Sequence, residues 1–198
     1  MKKKKIYGLT GMSGAGKTTV SGVFKDCGFE VINCDKVARE VTEKGTACLN
    51  EIAKKFDGVI NPDGTLDRKK LGSIVFNDSG QLKLLNDTIY PYITYRVIKC
   101  IEKADGEYIL LDAPTLFESG IDFICDGVIS VVCDREKSIE RIMARDNITR
   151  EMAQSRLSSQ YDKDYYVKKS LYAIENNGTQ QELIKASENI AVQIIRGI

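Results

Sequence analysis

Short, nearly unbroken apolar runs alternate along this chain with longer segments whose apolar residues recur at helical spacing. The runs cover 6–10, 29–32, 108–111 and 128–132, with a weaker one at 173–174. Runs without polar alternation suit strands covered on both faces, as in a parallel sheet flanked by helices. Helical spacing predicts segments at 18–27, 35–43, 47–56, 68–76 and 81–103, then at 136–145, 149–159, 163–169 and 180–195. Leu85, Ile89, Ile93 and Val97 fall on one face of the longest of these. Pro91 lies among them and is expected to kink that helix or to start a new one. Parallel neighbours need crossover connections, which helices supply. The pattern therefore predicts a single α/β domain over 1–198. Its core is about 1–35, 104–135 and 170–198, with one helical insertion at about 36–103 and a second at about 136–169. Both insertions leave from the carboxyl edge of the sheet, where open α/β sheets bind ligands.

Composition narrows the chemistry. With 198 residues, 42% hydrophobic, the chain is long enough for one substantial core that buries roughly 70% of its extended-chain surface. Lysines and arginines number 29 against 28 acids, a balance unlike that of a nucleic-acid or polybasic membrane binder. The run of lysines at 2–5 reads as solvated. No stretch approaches the ~18 apolar residues of a membrane span, and no apolar segment follows the lysines, so neither a span nor a secretory leader is expected. Six cysteines, at 27, 34, 48, 100, 125 and 133, form no C-x-x-C pair and read as reduced thiols packed as small hydrophobes in a cytoplasmic protein. There is no histidine. That excludes Ser-His-Asp and Cys-His catalysis, histidine-ligated zinc or haem, and phosphohistidine relays.

Gly11-Met12-Ser13-Gly14-Ala15-Gly16-Lys17-Thr18 matches G-x-x-x-x-G-K-[ST] between a strand candidate and a helix candidate. Gly11, Gly14 and Gly16 permit backbone conformations and close approach that a Cβ blocks. Successive amides, including that of Ala15, can then converge on a phosphate at the positive end of a helix. Lys17 adds a mobile charge that can bridge β- and γ-phosphates. The Thr18 hydroxyl can ligate Mg²⁺, and Thr19 can reach the α-phosphate. The expected fold is accordingly a P-loop NTPase-type α/β three-layer sandwich with a parallel five-stranded sheet. ATP and Mg²⁺ are the expected co-substrate and cofactor.

A GTPase switch would need N-K-x-D after a late strand and D-x-x-G after the strand at 108–111. The chain has Cys133-Asp134-Arg135-Glu136 and Asp112-Ala113-Pro114-Thr115 at those places. A motor-type ATPase generally has a larger core. A small-molecule kinase needs a carboxylate at the end of a second strand to hold an acceptor hydroxyl, and an arginine-bearing lid. Asp35 ends the run after the first crossover helix and also reads as the N-cap of the following helix. Arg141 and Arg145 share a helix face at i,i+4, as lid arginines or as a solvated charged face. Asp112 reads as the acid contacting the Mg²⁺ shell, directly or through water. A nucleoside monophosphate kinase, another small-hydroxyl kinase or a non-catalytic nucleotide-binding regulator would share these features.

More specific stretches accompany the loop. They are Asn33-Cys34-Asp35-Lys36-Val37-Ala38-Arg39, Asp63-Gly64-Thr65-Leu66-Asp67-Arg68, and Leu111-Asp112-Ala113-Pro114-Thr115-Leu116-Phe117-Glu118. Arg141-Ile142-Met143-Ala144-Arg145-Asp146 and Ile174-Glu175-Asn176-Asn177-Gly178 complete the set. In these the chain resembles the dephospho-CoA kinase family over nearly its whole length. Asn33 stands where the family usually has the first acid of D-x-D, Tyr90 where it often has histidine before Pro91, and Met12 where a second glycine is usual. The resemblance implies ATP-dependent phosphorylation of the ribose 3′-hydroxyl of dephospho-CoA in a nucleotide core, a substrate-binding insertion and a lid. It implies Asp35 as the base for the acceptor hydroxyl, Arg39 on the substrate side, and Leu116 and Glu118 near the substrate pocket. ATP and dephospho-CoA are the implied partners of a monomer or weak homo-oligomer, with no nucleic acid and no membrane.

Overall fold

The computed structural model describes residues 4–197, so Lys2 and Lys3 of the basic run lie outside the described residues. Every residue from Tyr7 to Gly11 of β1 (Lys5–Gly11) is buried. Side chains alternate faces along a strand, so unbroken burial means that both faces of β1 are covered. β1 is the central strand of five, in the order β2-β3-β1-β4-β5. The others are β2 (Glu30–Asn33), β3 (Tyr108–Asp112), β4 (Gly127–Val132) and β5 (Tyr172–Glu175). β1 pairs parallel with both β3 and β4, and β4 pairs parallel with β5. The register sets Leu9 opposite Asp112 and Gly11 opposite Val131. The carboxyl ends of β1, β3 and β4 thus lie side by side.

Two compact units divide the chain, Asn33–Lys103 and the remainder. In the larger unit, α1 (Lys17–Asp26) packs against α9 (Gln180–Arg196), and Val20, Phe24, Leu183, Ala191 and Ile194 join the strands in one core. α6 (Arg135–Asp146), α7 (Arg150–Ser158) and α8 (Lys163–Lys169) occupy the region expected as a lid. Ile139 and Ile142 of α6, Ala153 and Leu157 of α7 and Tyr166 of α8 are buried in that same core. Their apolar faces are spent on the sheet core, which fixes these helices by packing.

The smaller unit has its own core, built on Leu49, Ile52, Phe56, Leu71 and Val75. These residues come from α3 (Ala47–Lys55) and α4 (Arg68–Val75) and from the segment joining them. α5 (Ser79–Lys103) packs on α2 (Cys34–Glu40), α3 and α4. α5 runs unbroken through Pro91, so no new helix starts there. An interior proline forfeits one backbone hydrogen bond, at about 3 kcal/mol, and the contacts of α5 with three neighbours offset it. The capping expectation for Asp35 is also corrected. The cap of α2 is Asn33, whose side chain accepts from the Lys36 amide at 2.7 Å, and Asp35 sits in the first helical turn. An amide oxygen and a carboxylate cap equally well, and the earlier residue is the one with extended backbone geometry.

Candidate active site

The loop between β1 and α1 begins at Gly11, which pairs with Val131 of β4. Gly11 has φ +131°, and a Cβ there would stand 2.0 Å from the Val131 carbonyl oxygen. The loop ends at Gly16, which caps α1 in the left-handed region with φ 101° and no side-chain cap. Gly16 thus opens the positive end of a ten-residue helix, where the Thr19 amide donates back to the Gly16 carbonyl at 3.0 Å. Gly14 and the buried Ala15 lie between these two turns.

Lys17 folds back across the loop, donating to the carbonyls of Gly11 at 2.7 Å and Met12 at 3.1 Å. A compact ammonium on a flexible stem can exchange these carbonyls for phosphate oxygens at little cost. Thr18 is exposed in the first turn of α1, followed by the half-exposed Thr19. Asp112 ends β3 beside β1, and the next amide, that of Ala113, donates back to the Leu9 carbonyl at 3.0 Å. Hydroxyl and carboxylate oxygens of this kind suit a hard cation.

Glu118 keeps contact with solvent, yet the protein around it pushes its carboxyl above the ordinary glutamate value. Its own backbone amide and the Lys17 ammonium pull the other way. Leu116 is fully buried, and its methyls fill the space beside Gly8, where a Cβ would meet them at 2.6 Å. It packs against β1 and presents no surface to a ligand.

The two arginines of α6 separate. Arg141 reaches the loop region, with Nη1 donating to the Asn176 carbonyl at 3.1 Å and lying 3.5 Å from the Gly14 carbonyl. Arg145 instead makes a two-pronged pair with its neighbour Asp146, at 2.7 and 2.9 Å. Arg156 also bonds Asp146, and together the two arginines hold that carboxyl down at about 2. A side chain left unassigned by sequence joins the loop to the end of β5. Asn176, buried, donates from Nδ2 to the Ala15 carbonyl at 2.8 Å.

In the smaller unit, Asp35 and Arg39 are both exposed and lie four residues apart on α2, hence on one helix face. The same unit holds a cavity of about 540 Å³ lined by Glu40, Thr46, Tyr92, Tyr95 and Arg96, among others. Arg96 pairs with Glu40 at 3.2 Å at this cavity. Sequence reasoning did not find it, because its lining comes from two stretches more than forty positions apart, 40–48 and 92–96.

Comparison with known proteins agrees with this geometry. The family model for dephospho-CoA kinase matches residues 5–182. A dephospho-CoA kinase of Fusobacterium nucleatum is 38% identical over 191 residues, covering 96% of this chain and 98% of that protein. Among solved structures, one from Thermus thermophilus superimposes with a TM-score of 0.85 at 27% identity, covering 98% of this chain and 99% of that one. The dephospho-CoA kinase of Campylobacter jejuni gives 0.72 at 28% identity, with 98% of each chain covered.

Proposed function

The chain belongs to the dephospho-CoA kinase family, and from that premise we propose that it transfers the γ-phosphoryl group of ATP to the ribose 3′-hydroxyl of dephospho-CoA, giving coenzyme A. The observation that carries this reading is the glycine turn between β1 and α1, with Lys17 folded over it and Arg141 at its edge.

The loop amides and the α1 dipole hold the phosphate tail, and Lys17 moves from the Gly11 and Met12 carbonyls onto the β- and γ-oxygens. Arg141 adds fixed positive charge from α6, while Arg145 would reach the nucleotide only by giving up Asp146. Asp35 orients the 3′-hydroxyl, and Arg39, one turn on, binds the acceptor. The bond from the 3′-oxygen to the γ-phosphorus forms as the bond from that phosphorus to the β–γ bridging oxygen breaks. Asp35 takes the hydroxyl proton and ADP leaves. Such transfers depend chiefly on alignment and charge neutralisation, so a carboxylate that positions the hydroxyl suffices.

Thr18 and Asp112 would hold Mg²⁺, Asp112 directly or through water. Two protein oxygens suffice for a cation that takes several of its ligands from phosphate and water. When bound, Mg²⁺ supplies charge neutralisation at the β- and γ-oxygens. The insertion's own cavity offers room for part of a large acceptor, and Glu118 is assigned to the acceptor side. No helix among the described residues is long and apolar enough to cross a membrane, and the six cysteines form no disulfide. We place the enzyme in the cytoplasm, as a monomer or weak homo-oligomer with no nucleic-acid or membrane partner.

ADP release measured with dephospho-CoA, AMP, CMP, shikimate and gluconate tests the reading. Dephospho-CoA should be used at least roughly 100-fold more efficiently than the rest. A preference for another acceptor would reassign the substrate. Equal ATP consumption without any acceptor would make the chain an ATPase.

A further inference from the structure

The Met12 and Ala15 amides of the loop donate to the backbone carbonyls of Val131 and Met12, and one further loop amide is taken by a side chain. The Ser13 N–H donates to Oε1 of Gln160 at 2.9 Å, across 147 positions of sequence. A backbone N–H can only donate, so the oxygen of Gln160 is the atom that faces it. Covalent geometry then sets the –NH2 group beside that oxygen, close to the loop. That –NH2 has no hydrogen-bond partner among the described residues.

The backbone on either side of this amide is held by contacts. Gln160 follows α7, whose Ala153 and Leu157 are buried in the core, and its own N–H donates to the Leu157 carbonyl at 3.2 Å. The next residue, Tyr161, stacks on Tyr165 with ring centroids 3.8 Å apart and planes at 15°. The backbone that carries the side chain is thus held, and the bond to Ser13 orients its amide before any ligand arrives, as a preorganised contact requires. A neutral amide with two donors, next to a loop built for anions, matches phosphate oxygens.

We propose that Gln160 is a further substrate-touching residue, its Oε1 anchoring Ser13 while its –NH2 donates to the phosphate tail of the bound nucleotide. This rests on the nucleotide-binding reading of the loop. The amide adds directed hydrogen bonds without adding charge, complementing Lys17 and Arg141.

The test compares Gln160→Ala and Gln160→Glu with the wild-type protein. Binding of a non-hydrolysable ATP analogue and of AMP is measured by calorimetry, alongside kcat and KM with dephospho-CoA and a thermal melt. Both variants should bind the analogue roughly 10- to 100-fold more weakly, the range for a hydrogen bond to a charged group, with AMP binding and melting unchanged. Gln160→Glu keeps the acceptor for Ser13 and nearly the same shape, so it remains informative even if Gln160→Ala folds poorly. Wild-type behaviour in Gln160→Glu would reduce Gln160 to an anchor for Ser13 and overturn the proposal. Unchanged or tighter analogue binding in Gln160→Ala would overturn it too. A wild-type protein that binds the analogue but fails to phosphorylate dephospho-CoA would refute the assigned reaction, and analogue binding would still decide the role of Gln160.

Discussion

Asn176 at the end of β5 donates to the Ala15 carbonyl at 2.8 Å, and its backbone carbonyl accepts from Arg141 at 3.1 Å. One buried residue thereby ties the edge of the sheet to the phosphate loop and seats the arginine beside it. The crowding is tight, because a Cβ on Gly16 would come within 2.7 Å of the same Nδ2. Asn176→Ala leaves the Ala15 carbonyl without its donor. It should destabilise the protein by about 1–3 kcal/mol and raise the KM for ATP more than that for dephospho-CoA. Denaturant unfolding and steady-state kinetics measure both. Equal changes in the two KM values would argue against a role in holding the loop.

Lys17 has two sets of partners in this account, loop carbonyls in the free protein and phosphate oxygens in the complex. Contacts that strengthen as charge develops lower kcat when removed. Lys17→Ala should lower kcat by roughly 100- to 1000-fold and weaken ATP as well, with folding retained. The loop carbonyls it releases can turn to water.

Asp146 gives a pH signature. Its carboxyl is held at about 2 by the bidentate bond to Arg145 and by Arg156 reaching across from α7. A folded-state value below the unfolded ~3.9 adds stability that is fully present above pH ~4 and fades as pH falls toward the folded value. Asp146→Asn should therefore melt below the wild type at pH 7, with the gap closing as the pH is lowered from about 4 to 2. A gap independent of pH would show that the arginines do not hold that carboxyl.

Much of the nucleotide half was legible in the sequence because local rules and tertiary context agree there. Apolar run, glycine turn and amphipathic helix follow one another, and the register that sets Asp112 opposite Leu9 comes from the neighbouring apolar run. Other features depend on contacts that periodicity does not carry. Asn33 and Asp35 are both cap-type residues, and only backbone geometry separates them. Pro91 is a helix breaker by propensity, overridden by the packing of α5. Leu116 lies in a motif full of site residues yet is fully buried under Gly8. Arg141 and Arg145 share a helix face in sequence, but Asp146 captures one and Asn176 the other. Gln160 is an ordinary polar residue between two helices until the fold brings it to Ser13.

The central claim is that a loop-bound ATP and Asp35 together phosphorylate a ribose hydroxyl. The most direct measurement is mass-resolved formation of coenzyme A from dephospho-CoA and ATP by the wild-type protein and by Asp35→Asn, at equal fold and equal ATP binding. The wild type should yield product carrying one added phosphate on the 3′-oxygen, and Asp35→Asn should lose nearly all of that rate. No phosphorylated product from the wild type, or an undiminished rate in Asp35→Asn, would contradict the account.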